Sequence, residues 1–167
     1  MTIEEGTTGV KHTSQITDQA VAKLRGLIAK EISKPLEDWE IEDAKLNPLD
    51  IMYFCRAIGD FNPLFINAEY AKKTRFGRQV VPPGIILEME QLDPGLEGLP
   101  GCRAVLQSVG LEWSIPIVKD DALLAKTYVR EVKELSNQPG DGRVVVQEYE
   151  TFVTNHRGES VGRVDTS

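Results

Sequence analysis

Two periodicities divide the chain, helical in its first half and alternating in its second. In "TDQAVAKLRGLIAKEI", Ala20, Val21, Leu24, Leu27 and Ile28 recur at helical spacing, so a helix with one apolar stripe is predicted from the cap Thr17, ending by Pro35. The next predicted helix has both ends marked. Asn47 caps it, Pro48 suits its first position, Asp50 favours its positive end and Gly59 suits a left-handed stop. Between these signals Leu49, Met52, Phe54, Cys55 and Ile58 supply the apolar face. A short helix is expected over 68–73 behind the cap Asn67, and another starts at Pro83 or Gly84 and runs to about residue 92, because tandem prolines can open a helix but not continue one. In that last helix Ile85, Ile86, Leu87, Met89 and Leu92 are apolar nearly all round, which predicts burial on most sides.

Residues 93–101 are rich in Gly and Pro and read as a loop, after which the period drops to two. Val109, Leu111, Trp113 and Ile115 alternate with polar or small neighbours, and strand-like runs follow over 122–133, 143–154 and 160–164. "NQPGDG" and "NHRG" mark the turns between those runs, and "EDWEIED" earlier in the chain reads as a short strand. Helices first and a strand meander afterwards imply an α+β domain with an antiparallel sheet. The most apolar helix, 83–92, is expected on the concave face of that sheet, with residues 1–16 a flexible N-terminus and 17–167 a single domain.

Composition narrows the function classes. At 167 residues, 41% hydrophobic and 27% charged, the chain has the make-up of a soluble globular protein able to bury a core. It has no apolar run near the roughly 18 residues of a membrane span, and "MTIEEGTTGVKHTSQI" lacks the apolar region of a secretory signal, so a cytoplasmic protein is expected. Cys55 and Cys102 show no metal or redox spacing and read as reduced thiols. A net charge of -7 argues against a general nucleic-acid binder. It leaves room for a local cationic cluster, and "KKTRFGR" places Lys72, Lys73, Arg75 and Arg78 within seven residues. That cluster is either a solvated helix end or a landing site for anionic groups.

Candidate chemistry concentrates in "GDFNPLFIN", the stretch that leaves the second helix with Asp60, Asn62 and Phe65. Turn chemistry alone accounts for an Asp and an Asn before a proline. Gly84 has two readings as well, close packing or a free amide at a helix start. Trp113 fits the core or a subunit contact, and the two histidines, His12 and His156, fall in the N-terminus and in a predicted turn.

The segments "FCRAIGDFNPLFIN", "VVPPGII", "GLEWSIPIVKDD" and "TFVTNHRGESVGRV", in this order across roughly residues 30 to 165, resemble the hotdog fold of the MaoC-like hydratases and dehydratases, in particular the N-terminal, fatty-acid-synthase-like dehydratase branch. The resemblance implies a sheet wrapped around a central helix and an edge-to-edge pairing with a second hotdog. It implies the addition of water to trans-2-enoyl thioesters of coenzyme A or acyl carrier protein, or its removal from (R)-3-hydroxyacyl thioesters, with no metal and no cofactor beyond the carrier in the substrate. In the family motif G-D-x-N-P-x-H the Asp and His hold and activate water, and a backbone N–H at the start of the central helix binds the thioester oxygen. Carried over, Asp60 takes the place of the catalytic Asp, Asn62 that of the motif Asn, and Gly84 that of the amide donor. Phe65 stands where the family has its catalytic His, and a phenyl ring exchanges no proton.

The expectation is therefore a lyase subunit that supplies thioester and acyl-chain contacts through Asn62, Phe65, Gly84, Lys72, Lys73 and Arg75, with Asp60 in a degenerate catalytic position and the histidine on a second hotdog. The alternatives are a homodimeric hotdog that binds an acyl thioester without catalysis, and a homodimeric hydratase using Asp60 with a recruited base.

Overall fold

The computed structural model describes residues 16–33, 45–88, 105–135 and 143–167. The N-terminus with His12, the strand expected in "EDWEIED", the tail of the 83–92 helix, the 93–101 loop, Cys102 and the "NQPGDG" turn lie outside the described residues.

Four antiparallel strands form one sheet: β1 (Val109–Trp113), β2 (Leu123–Leu135), β3 (Val144–Asn155) and β4 (Ser160–Thr166), in the order β1-β4-β3-β2. These are the four alternating runs of the sequence. The turn at "NHRG" joins β3 to β4 through Asn155, whose Oδ1 accepts from the Arg157 and Glu159 amides, both at 3.0 Å, while Gly158 takes the left-handed φ of 77°. Paired residues of an antiparallel sheet share a face. The inner face therefore carries Leu123 opposite Asn155, Thr127 opposite Thr151 and opposite Val164 through β3, and Val129 opposite Tyr149.

Two apolar clusters sit on that face. The larger joins Leu123, Val153, Val161 and Val164 of the sheet to Ile51, Cys55, Val81, Ile85, Ile86 and Ile117. The smaller joins Leu24 to Val129 and Val132, with Tyr149 and Val145 at its margin. Between them the buried hydroxyls of Thr127 and Thr151 satisfy each other at 2.9 Å.

The first helix, α1 (Asp18–Arg25), is capped by the Thr17 hydroxyl, which accepts from the Ala20 amide at 3.1 Å. It is shorter than its apolar stripe predicts. Beyond Gly26 the backbone turns to the free edge of β2, with the Ala29 amide donating to Val129 O and the Ile32 amide to Thr127 O, each at 2.8 Å. Open strand carbonyls there outcompete continued helical bonding, at the expense of a positive φ of 62° at Ala29.

The apolar helix after the tandem prolines is a 3-10 helix, Pro83–Glu88, seated on the inner face through Ile85 and Ile86. It is buried on one side only, contrary to its all-round apolar sequence: Leu87 is 45% exposed. Three residues per turn align side chains at i and i+3, so Gly84 and Leu87 share the line that turns away from the core. β1 departs from expectation too. All five of its residues are exposed, Trp113 among them at 37%, so its alternation marks no core inside this chain.

Candidate functional site

The site grows from α2 (Pro48–Ile58). Asn47 Oδ1 accepts from the Leu49 amide at 2.9 Å and the Asp50 amide at 3.1 Å, with Pro48 in the first turn, and Ile51 and Cys55 form the buried seam. At the far end Gly59 adopts φ 73°, its amide donates to Arg56 O at 3.3 Å and the Asp60 amide to Cys55 O at 2.9 Å. This double closure of the last carbonyls is the Schellman arrangement, and it fixes where Asp60 leaves the helix.

The two polar side chains of the loop then organise the next turn. Asp60 Oδ1 accepts from the Asn62 amide at 3.1 Å, and Asn62 Oδ1 accepts from the Leu64 amide at 3.0 Å, capping the short helix α3 (Pro63–Ile66). Asn67 in turn caps α4 (Ala68–Lys72), as predicted, through the Tyr70 amide at 2.9 Å. Asp60 is half-buried and Asn62 exposed. Asp60 Oδ2 has no hydrogen bond among the described residues. Burial pushes the Cys55 thiol above its ordinary range, and the neighbouring Asp60 carboxylate pushes it further.

Phe65 is half-buried, its ring packed on the larger apolar cluster. Its amide donates to Asn62 O at 2.9 Å and its carbonyl accepts from the buried Gln79 Nε2. A second tie runs from the Val80 amide to Leu64 O at 3.3 Å, and the Val81 amide donates to Ile117 O at 2.9 Å. The loop is thereby fastened to the segment that enters the 3-10 helix. On the other side Phe54 of α2 reaches Gly84, where an added Cβ would lie 3.2 Å from Phe54 Cζ. The Gly84 amide meets no acceptor among the described residues. Sequence periodicity placed Phe54 on the apolar face of α2 but carried no sign of this contact, which joins residues 30 positions apart.

The basic segment is only partly free. Lys72 is held by Glu69 at 2.7 Å, and the Arg75 guanidinium lies over the Phe76 ring at 4.8 Å. Lys73 and Arg78 are exposed and make no ion pair among the described residues. His156 is exposed in the β3–β4 turn, where its Nδ1 accepts from the Ala122 amide at 3.3 Å and its amide donates to Ala122 O at 2.9 Å. Among the described residues no group of three or more His, Cys, Asp and Glu side chains could hold a metal ion, and no helix is long and apolar enough to cross a membrane.

The described residues thus offer a half-buried carboxylate with one free oxygen, an uncommitted amide at Gly84 beside Phe54, and the Phe65 ring on the larger apolar cluster. The one histidine among them, His156, lies in the β3–β4 turn.

Comparison with known proteins adds three likenesses. A curated relative, the UPF0336 protein Franean1_6066 of Parafrankia sp. (strain EAN1pec), is 31% identical over 117 residues, 63% of this chain and 71% of the relative. The (R)-hydratase from A. caviae involved in PHA biosynthesis superposes with a TM-score of 0.59 at 19% identity, covering 73% of this chain and 86% of that one. The ChsH1–ChsH2 complex from Mycobacterium tuberculosis superposes with a TM-score of 0.62 at 18% identity, covering 89% and 91%. Identities this low speak to the fold, which is the hotdog. The family description "FAS1-like, dehydratase domain region" matches residues 37–164, most of the chain, and the chain belongs to that family of MaoC-like hotdog proteins.

Proposed function

We propose that the chain is one subunit of an enoyl-thioester hydratase, or of the reverse (R)-3-hydroxyacyl-thioester dehydratase, and that a second hotdog supplies the histidine. The observation that carries this reading is Phe65, which stands in the sequence where the family motif has its His and whose ring packs on the apolar cluster. In the forward direction water adds across the double bond, its oxygen to C3 and a proton to C2, while negative charge gathers on the thioester oxygen. Asp60 Oδ2 would hold the water, and the Gly84 amide, with no acceptor of its own among the described residues, would receive the oxyanion. Phe54 and Phe65 would line the acyl chain, and Lys72, Lys73 and Arg75, together with the exposed Asn62, would meet the anionic part of the carrier. The (R)-hydratase and the two-chain ChsH1–ChsH2 complex among the structural neighbours support both halves of the reading, chemistry and pairing. The thioester brings its own carrier, and the chemistry as drawn needs no metal or further cofactor.

One observation favours a second reading, a homodimer that binds acyl thioesters without catalysis. Asp60 Oδ1 and Asn62 Oδ1 both accept from loop amides, which is complete turn and cap chemistry with no substrate present. Hydration of crotonyl-CoA and longer enoyl-CoAs separates the two. The chain would be assayed alone and mixed with a hotdog that bears the intact D-x-N-P-x-H motif. Activity in the mixture only is expected. Activity in neither supports the binding module, and full activity of the chain alone refutes the division of labour.

A further inference from the structure

Six polar side chains are buried among the described residues. Five of them hold the sheet and its β3–β4 turn: Thr127 pairs with Thr151, Glu150 with Arg130 and Arg163, and Asp121 and Asn155 both bind Arg157. The sixth, Gln79, is bonded to the loop of the candidate site. Its Nε2 donates to Phe65 O, and its Oε1 meets no donor among the described residues. An amide buried with one end unpaired adds little net stability, so packing alone does not account for it.

The loop has need of such a bond. α3 is four residues long, too short to hold itself, and none of its side chains is fully buried. Asn62 O and Pro63 O are taken by amides of the same turn, those of Phe65 at 2.9 Å and Asn67 at 3.0 Å. Leu64 O and Phe65 O find their donors outside it. The Val80 amide reaches Leu64 O at 3.3 Å, a long bond, and the Gln79 side chain takes Phe65 O. Gln79 is itself pinned. Its carbonyl accepts from the Lys119 amide at 3.0 Å, and two residues on the Val81 amide donates to Ile117 O at 2.9 Å. From there the chain enters the 3-10 helix that carries Gly84.

We infer that Gln79 is the positioning residue of the site: its amide registers the loop carrying Asp60 and Phe65 against the segment carrying Gly84. The inference rests on the hydratase reading for what that register serves. A water held by Asp60 and an oxyanion held by the Gly84 amide must stand at the two ends of one enoyl unit. A shift of about 1 Å between the two holders can cost about 10²-fold in rate. Gln79 acts through Phe65 O and α3, and not on the reacting atoms.

The test compares the parent chain with Gln79→Met, which keeps the length of the side chain and removes the donor. Hydrogen exchange read by mass spectrometry needs no chemistry from the site. The peptide spanning residues 60–66 is expected to exchange about tenfold faster in the variant, as loss of one hydrogen bond permits, while β2 and β3 keep their protection. In the mixture with a histidine-bearing hotdog, kcat for crotonyl-CoA hydration should fall by about tenfold to a hundredfold, with KM held within about twofold. Unchanged exchange over 60–66 overturns the inference whatever the activity, and so does faster exchange with kcat intact. Faster exchange spread through β2 and β3 would make Gln79 a core residue of general effect, which overturns it too. If Gln79→Met fails to fold, Gln79→Asn, an amide one methylene short of Phe65 O, is read in the same way. The two readings fail separately. A parent chain with no hydration in any mixture sinks the hydratase reading, while exchange over 60–66 still decides whether Gln79 holds the loop.

Discussion

Phe65 and Gly84 each turn the reading of the site on a few atoms. A positioned general acid–base group contributes about 10²- to 10⁴-fold in rate, so Phe65→His is expected to confer hydration on the chain alone within that range. The imidazole must sit where a ring now packs on the larger apolar cluster, and stability should fall by about 1 to 3 kcal/mol for burying a polar group there. A folded variant with no gain over the parent chain, by crotonyl-CoA assay, would show that Asp60 does not hold water. Gly84→Ala probes the other side. Its Cβ would press Phe54 Cζ at 3.2 Å, so the ring or the helix start must shift by a few tenths of an ångström. The expected outcome is a melting temperature within a few degrees of the parent and a hydration rate in the mixture down by about tenfold or more, because misplacing an oxyanion donor costs far more in rate than in stability. Equal losses in both would leave Gly84 with close packing alone. The residue types and their spacing announced Asp60, Asn62 and Phe65 in the sequence. That Asp60 also raises the Cys55 thiol, or that Gln79 holds Phe65 by its carbonyl, was not legible, because those partners meet only once the elements have packed.

At the scale of elements, legibility followed local chemistry. α2, α4 and the four strands stand where caps, prolines, glycines and alternation put them, since each signal is a bond the chain makes with near neighbours. Two elements were misjudged for one reason, that long-range contacts outvoted local period. α1 gives way after Gly26 to the edge of β2, and after the tandem prolines the 3-10 helix Pro83–Glu88 buries Ile85 and Ile86 while Pro83 and Leu87 stay exposed. α2, in contrast, should depend measurably on its ends. Asn47→Ala removes the acceptor for two amides and is expected to cost about 1 kcal/mol in urea unfolding. Gly59→Ala meets no atom within 4 Å yet must hold φ 73°, so its penalty is conformational, about 1 to 2 kcal/mol. If either variant left the unfolding midpoint unchanged, α2 would be held by its buried seam alone. Burial of Cys55 in that seam gives a further check. With its thiol pushed above the usual range, the thiolate form is confined to the unfolded chain over the ordinary alkaline interval, so this group's contribution to stability is complete at neutral pH and declines as pH rises past the normal thiol value. Peptide-resolved alkylation at neutral pH should therefore leave Cys55 unmodified until the chain is unfolded.

For the whole molecule, the proposed division of labour requires a surface on which a histidine-bearing hotdog can pair. Among the described residues β1 is bonded to β4 and to no other strand, and all five of its residues are exposed, with Val109, Leu111 and Trp113 between 37% and 38%. An edge of that kind invites another strand, and in a folded monomer it would be a liability. Pairing with a second hotdog along β1 would cover it and bring the missing histidine within the same assembly. The strand is attached by a narrow margin. Opposite Trp113, Gly162 lets the two backbones meet, and a Cβ there would lie 2.3 Å from Glu112 O, well inside contact. Gly162→Ala must therefore push β1 away from β4, at about 1 to 3 kcal/mol for the forced repacking. Asn155, Asp121 and Arg157 still hold the β3–β4 hairpin, since Asp121 Oδ1 accepts from Arg157 Nη1 at 2.6 Å and the Asn155 side chain bonds the Arg157 and Glu159 amides and the Glu159 carboxylate within the turn. The expected result is a chain that keeps its far-ultraviolet dichroism, melts at a lower temperature and no longer co-elutes with the histidine-bearing hotdog in size-exclusion chromatography with light scattering. Hydration in the mixture should disappear with the association. Co-elution that survives Gly162→Ala would mean the second hotdog is held by another surface, and β1 would then have no part in completing the site.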